Sequence, residues 1–176
     1  MADHTVPLLG RQALERVRRL AQPVLARTPV RPPVAEPRQP AVRRNGLTHI
    51  SAPAGVAPSS GYTHVVTGPG RLAAIAGQMA FDEAGELVGA DDPAAQARQV
   101  FTNMRRCLAA AGATFDDVIK LTYYVTDIAY VPRILAVRDE FVDSRRPPAS
   151  TVVQVVALYR PDLLLEVDAF AMLATG

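Results

Sequence analysis

A single cysteine, Cys107, in 176 residues leaves no intrachain disulfide and no thiolate metal cluster. The three histidines, His4, His49 and His64, show no ligand spacing such as i, i+4, so a metal site is not expected. Tryptophan is absent and aromatic content is only 6%. No apolar run approaches the ~18 residues of a membrane span, and no apolar stretch with a small-residue cleavage site follows the first Arg cluster. The expectation is a soluble, cytoplasmic chain. Lysine occurs once, at Lys120, among 19 basic residues, and this imbalance reads as coding bias.

The charge that is present is unevenly placed. Residues 1–44 hold nine Arg against Asp3, Glu15 and Glu36, a net +6, whereas residues 45–176 hold nine Arg and Lys120 against fourteen acids, a net −4. The pI near 9.0 is therefore a property of the first segment. Seven of the fifteen prolines also fall there, and no aromatics are interleaved with the arginines. Leu14, Val17, Leu20 and Val24 recur at helical spacing, but Pro23 interrupts them. The reading is a basic, disordered extension over 1–44 and one domain over 45–176, of the size that buries an ordinary core. The negative domain argues against a phosphate backbone as partner.

From about Thr48 the chain becomes regular. Short strands are predicted at Thr48 to Ser51 and Tyr62 to Thr67, then a turn at Gly68-Pro69-Gly70 and a third strand from Arg71 to Phe81. Asp92 before Pro93 is an N-cap with proline in the first helical position. Ala97, Val100, Met104, Leu108 and Ala111 mark one face, and Gly112 supplies the stop. Cys107 sits within this helix as a buried small hydrophobe. Ile119, Leu121, Tyr123 and Val125 alternate with Lys120, Thr122, Tyr124 and Thr126 as a strand, and Ile134, Val137 and Phe141 mark a second helix from near Pro132.

Two closing strands, Ser150 to Leu158 and Leu163 to Met172, carry the most information. Alternation puts Glu166 and Asp168, about 7 Å apart, on the side of Leu164, Phe170 and Met172. An acidic pair on a largely apolar face is costly unless it is paired, hydrogen-bonded or used. Two helices against six strands make an α+β sandwich with both helices on one face of a six-stranded mixed sheet. Too few elements remain to cover the other face, so association through the sheet follows.

Over roughly residues 46 to 174 these residues resemble the Rid family, the reactive intermediate deaminases or YjgF-like proteins. The resemblance runs through Gly61-Tyr62, Ile75-Ala76-Gly77-Gln78-Met79, Gly85-Glu86-Leu87-Val88-Gly89, Gln96 to Gly112, Lys120 to Asp127, Pro148-Ala149-Ser150-Thr151 and Glu166-Val167-Asp168-Ala169. It implies a chorismate-mutase-like fold, a homotrimer with ligand clefts between subunits, a small-molecule substrate and no cofactor. The deaminase branch hydrolyses enamines and imines such as 2-aminoacrylate to keto acids and ammonia. That chemistry needs an Arg clamp on the substrate carboxylate, an acid to position water or move its proton, and donors for the developing charge.

The resemblance places Glu166 as the water-handling acid, with Tyr62, Gly77, Gln78, Ser150 and Thr151 as substrate-binding residues. Asp168 reads as structural. Gly77 interrupts an apolar strand where a bulge or close approach requires it, and ligand approach is the expectation. The branch carries its Arg between Pro-Ala and Ser, whereas here Pro148-Ala149 runs straight into Ser150. Arg145-Arg146 reads as part of a solvated loop rather than as a substitute clamp. The expected function is hydrolysis or tautomerisation of a small reactive metabolite, an enamine, imine or relative, without efficient 2-aminoacrylate deamination. The alternative is a non-catalytic small-molecule binding or interaction protein with the same trimeric fold.

Overall fold

The computed structural model describes residues 43–44 and 46–175. The predicted extension over 1–44 therefore lies outside the described residues, except for Arg43–Arg44. That pair forms strand β1 and joins β2 (Leu47–Ile50) and β3 (Val65–Thr67) in a three-stranded antiparallel sheet of order β1-β2-β3. The remaining strands are β4 (Arg71–Gln78), β5 (Val118–Val125), β6 (Ala149–Gln154) and β7 (Leu165–Leu173). They form a mixed sheet of order β4-β7-β5-β6 in which only the β5–β6 pair is parallel. The α+β class and the six predicted strands are present as β2 to β7, but they are divided between two sheets. β3 is three residues long because Gly61 to His64 leaves the ladder, and β6 stops at Gln154 instead of Leu158.

Helix α1 (Pro93–Ala110) begins as its sequence dictates. Asp92 is extended, and its Oδ1 accepts from Ala94 N at 2.9 Å and Ala95 N at 3.3 Å. Gly112, at φ +77°, takes the left-handed conformation past the end that a side chain would resist. Helix α2 (Val131–Arg138) carries Pro132 in its first turn and packs against α1, which lies on β4 and β7, and its Ile134 and Val137 join the same core. Ala97, Val100, Met104 and Leu108 of α1 meet Leu121, Tyr123 and Val125 of β5 and Leu165, Val167, Ala169 and Ala171 of β7. Phe101 lies at the centre, with ring centroids 5.5 Å from Phe141, 6.0 Å from Phe115 and 6.4 Å from Tyr123. Cys107 is only partly buried and packs at the margin of this core.

Among the described residues, the other face of the mixed sheet carries no helix. Leu72 and Phe170 on it are 56% and 42% exposed, and Glu166, Asp168 and Met172 share their side. Among the described residues, no helix is long and apolar enough to cross a membrane.

Candidate functional site

Strand β7 presents Glu166 toward the open face, in register with Tyr124 of β5. On its other side the β4–β7 ladder slips between Ile75 and Gln78, a bulge that places Gly77 against Glu166. A Cβ on Gly77 would stand 1.8 Å from Glu166 Oε1, closer than any real contact, so glycine here makes the notch in which the carboxylate sits. Within the chain the close approach at Gly77 is made by Glu166, where that of a ligand was expected. Among the described residues the Glu166 carboxylate accepts no hydrogen bond, although its backbone pairs with Tyr124 of β5. It is an acid held in place from behind and uncommitted in front.

Its neighbours are committed. Tyr124 donates from its hydroxyl to Asp168 Oδ2 at 3.0 Å, while Asp168 Oδ1 is buried without a partner among the described residues. The hydrogen bond to Asp168 raises the Tyr124 phenol above its ordinary value, the Asp168 charge adds to this, and Glu166 contributes least. Lys120, two residues after the start of β5, donates to Thr151 Oγ1 on β6. Partial burial lowers the Lys120 ammonium, and the Asp168 charge opposes that shift. Tyr124, Glu166 and Asp168 line an open groove together with Val155, Leu158 and Tyr159 of the segment after β6.

The other predicted residues stand apart. Ser150 is in register with Leu121, on the row that packs against the helices, and its Oγ donates to Pro148 O at 3.3 Å. Thr151 follows in the row of Thr122, on the open side, but β5 separates it from Glu166. Two strand spacings put these rows roughly 10 Å apart. Tyr62 packs edge-on to His64, with ring centroids 5.1 Å apart. Its loop is tied to the approach to β6, since Thr63 N donates to Pro148 O at 3.1 Å and Thr63 Oγ1 to Pro147 O at 2.5 Å. Gln78 donates to Ala76 O at 3.0 Å and lines a second groove along the β4 edge with Asn103, Arg106 and Cys107. One chain thus brings Glu166 to Gly77 and Tyr62 to the start of β6, and leaves Gln78 in a separate groove.

Arg146 is engaged elsewhere within the chain. Its Nη2 reaches Asp143 Oδ2 at 3.1 Å, and with His49 and Val142 it lines a small separate cavity. Arg145 and Arg146 together hold the Asp143 carboxyl well below the usual carboxylate range. Among the described residues no three His, Cys, Asp or Glu side chains are grouped to hold a metal ion.

Two positioning residues escape a reading of the sequence. Gln96 is fully buried, donates to Asp162 O at 2.9 Å and accepts from Leu164 N at 2.8 Å, which pins the chain two residues before Glu166. Arg138, 4% exposed at the end of α2, donates to Gly61 O at 2.7 Å and so holds the carbonyl next to Tyr62. Helical spacing from Ile134 puts Arg138 on the buried face, the one local signal that it is not a surface charge.

A family model described as endoribonuclease L-PSP matches residues 39–173. The RutC family protein slr0709 of Synechocystis is 33% identical over 125 residues, spanning 70% of this chain and 92% of that protein. Protein DfrA of Myxococcus xanthus is 32% identical over 129 residues, 73% of this chain and 95% of its own. The crystal structure of YyfB, a Rid-family protein of unknown function from Yersinia pestis, superimposes with a TM-score of 0.67 at 38% identity, covering 73% of this chain and 99% of that one. A YjgF/YER057c/UK114 family member from Mycobacterium tuberculosis gives 0.51 at 31%, over 72% and 99%. With a family model spanning the whole regular part of the chain and relatives matched over nearly their full length, this chain belongs to the Rid/YjgF family.

Proposed function

We propose that the protein hydrolyses or tautomerises a small imine, enamine or related reactive metabolite in a cleft between subunits of a homotrimer, with Glu166 handling the water. The observation that carries this reading is the Glu166 carboxylate, seated in the Gly77 notch and free of hydrogen bonds from the described residues. A structural acid on a half-buried face is expected to be satisfied. An acid positioned from behind and open in front can orient water toward an imine carbon, take its proton and pass that proton to the leaving nitrogen. Tyr62 and the start of β6 belong to the same cleft but arrive from the neighbouring subunit, which accounts for their separation from Glu166 within one chain. The exposed Leu72 and Phe170 on the uncovered face supply the apolar contact for that assembly.

Ser150 stands where an Arg clamp is expected, so turnover of 2-aminoacrylate, generated in situ by a serine/threonine dehydratase, is expected near background. Ser150→Arg raises that rate, and Glu166→Gln in the same background removes the gain. Fast hydrolysis of aminoacrylate by the unmodified protein would show that another cation anchors the substrate. Light scattering on the full chain tests the assembly, where a monomer at micromolar concentration refutes the shared cleft.

A further inference from the structure

The groove around Glu166 also carries information about the charge of its ligand, an inference that rests on the function proposed above. Two of its lining side chains, Glu166 and Asp168, are carboxylates, and among the described residues no basic side chain lines it. The nearest ammonium, Lys120, is tied to the Thr151 hydroxyl. Asp168 has one oxygen occupied by the Tyr124 hydroxyl and the other buried without a hydrogen-bond partner among the described residues, while Lys120 answers its charge only through space. A charge in that state is stabilised by any cation that enters beside it. The rest of the lining is suited to a cation with an apolar body, because Val155 and Leu158 accompany the rings of Tyr124 and Tyr159. Aromatic faces and carboxylates together form a receptor for an ammonium or iminium ion. A substrate with its own carboxylate meets like charge here and has no Arg at position 150 to hold it.

We propose that the groove selects a positively charged, apolar nitrogen compound, an iminium ion derived from an amine instead of an amino acid, with Asp168 as its counter-charge. The step balances as one protonated imine plus one water giving one aldehyde or ketone plus one ammonium ion. Water oxygen bonds to the iminium carbon as the carbon–nitrogen π pair shifts to nitrogen. Glu166 then carries a proton from that oxygen to nitrogen, and the carbon–nitrogen bond breaks as the carbonyl forms. The second water proton leaves the oxygen in that collapse and ends on the departing ammonia as ammonium. No oxidant or reductant is consumed.

Binding and turnover test this separately. The full chain is titrated with benzylammonium, benzyl alcohol and benzoate, which share one apolar body and differ in charge, with binding followed by calorimetry. Benzylammonium is expected to bind roughly tenfold or more tightly than the alcohol, the ratio one charge-assisted contact supplies, with benzoate weakest. Asp168→Asn should reduce that preference toward unity, and Asp168→Ser serves the same purpose if the amide variant misfolds. Equal binding of all three probes, or a preference for benzoate, overturns the proposal without need of any variant.

In turnover, the imine released from benzylamine by an amine oxidase is compared with that from phenylalanine by an amino-acid oxidase, and its decay is followed with and without the protein. Faster decay of the amine-derived imine supports the inference. Faster decay of the acid-derived imine overturns it and leaves imine hydrolysis standing. If neither decay is accelerated, the hydrolytic reading fails, and the ligand series alone decides the selectivity of the groove for cations.

Discussion

The two faces of β7 are built from adjacent residues and serve different purposes. Leu165, Val167, Ala169 and Ala171 are no more than 1% exposed and lie against the helices, each filled around by neighbours. Glu166, Asp168, Phe170 and Met172, interleaved with them, are half-buried or exposed and meet no helix. A filled face tolerates little change because its contacts are complete, whereas the open face keeps unanswered charge and apolar area, the two properties that make chemistry and assembly possible. The comparison separates stability from function within a nine-residue strand.

The sharpest break of the filled side is Phe101→Ala. Removing the ring that Phe115, Tyr123 and Phe141 surround is expected to cost about 3–5 kcal/mol, read by urea denaturation. A loss under about 1 kcal/mol would mean that the aromatic cluster is not the centre of the core.

On the open side, Glu166→Gln should lower turnover of whichever imine proves to be a substrate by about 10²–10⁴-fold while leaving the denaturation midpoint almost unchanged. Gly77→Ala provides a second route to the same result. Its Cβ must displace a flexible carboxylate and no backbone, so the fold survives while the acid shifts, and roughly 100-fold in kcat is lost. Should Gly77→Ala unfold the protein instead, the notch serves the sheet and not the acid.

Gln96→Leu joins the two sides. It leaves Leu164 N and Asp162 O without their partner, for a loss of about 1–3 kcal/mol, and loosens the approach to Glu166, so kcat should fall along with stability. Stability lost at unchanged kcat would show that β7 positions Glu166 without help from α1.

The smallest expected effect is a pH dependence. Burial pushes the His49 imidazole below its ordinary value, the backbone of Pro147 opposes this, and the Arg146 charge adds to the lowering. The unfolded chain therefore binds that proton more readily than the folded one. The contribution is fully present above pH ~6.5 and is lost as the pH falls through that value toward the lower folded one. His49→Asn should flatten the slope of stability between about pH 5 and 7, and an unchanged slope would place the titration elsewhere.

Much of this was legible locally. Asp92-Pro93 fixed the start of α1, since a cap and a proline act through the first helical turn alone. The alternation of β7 told which side of the strand Glu166 and Asp168 would take, because the period of a strand is a covalent property of extended backbone. Gly77 announced a close approach, expected of a ligand, and the structure puts the Glu166 carboxylate there. The late start of β3 and the early end of β6 were not legible, because Tyr62 to His64 and Val155 to Leu158 have acceptable strand composition and leave the ladders for tertiary reasons. The first is bound to Pro147 and Pro148, and the second lies over the groove.

The sequence by itself determined most of the elements and the polarity of their faces, properties of residues within a few positions of each other. Only the tertiary structure decided that Gly77 shelters Glu166, that Tyr124 bonds Asp168 across 44 positions and that Gln96 reaches Leu164 across 68. Those pairings depend on strand order and a one-residue bulge, and a slip of one residue in either would turn every side chain to the opposite face.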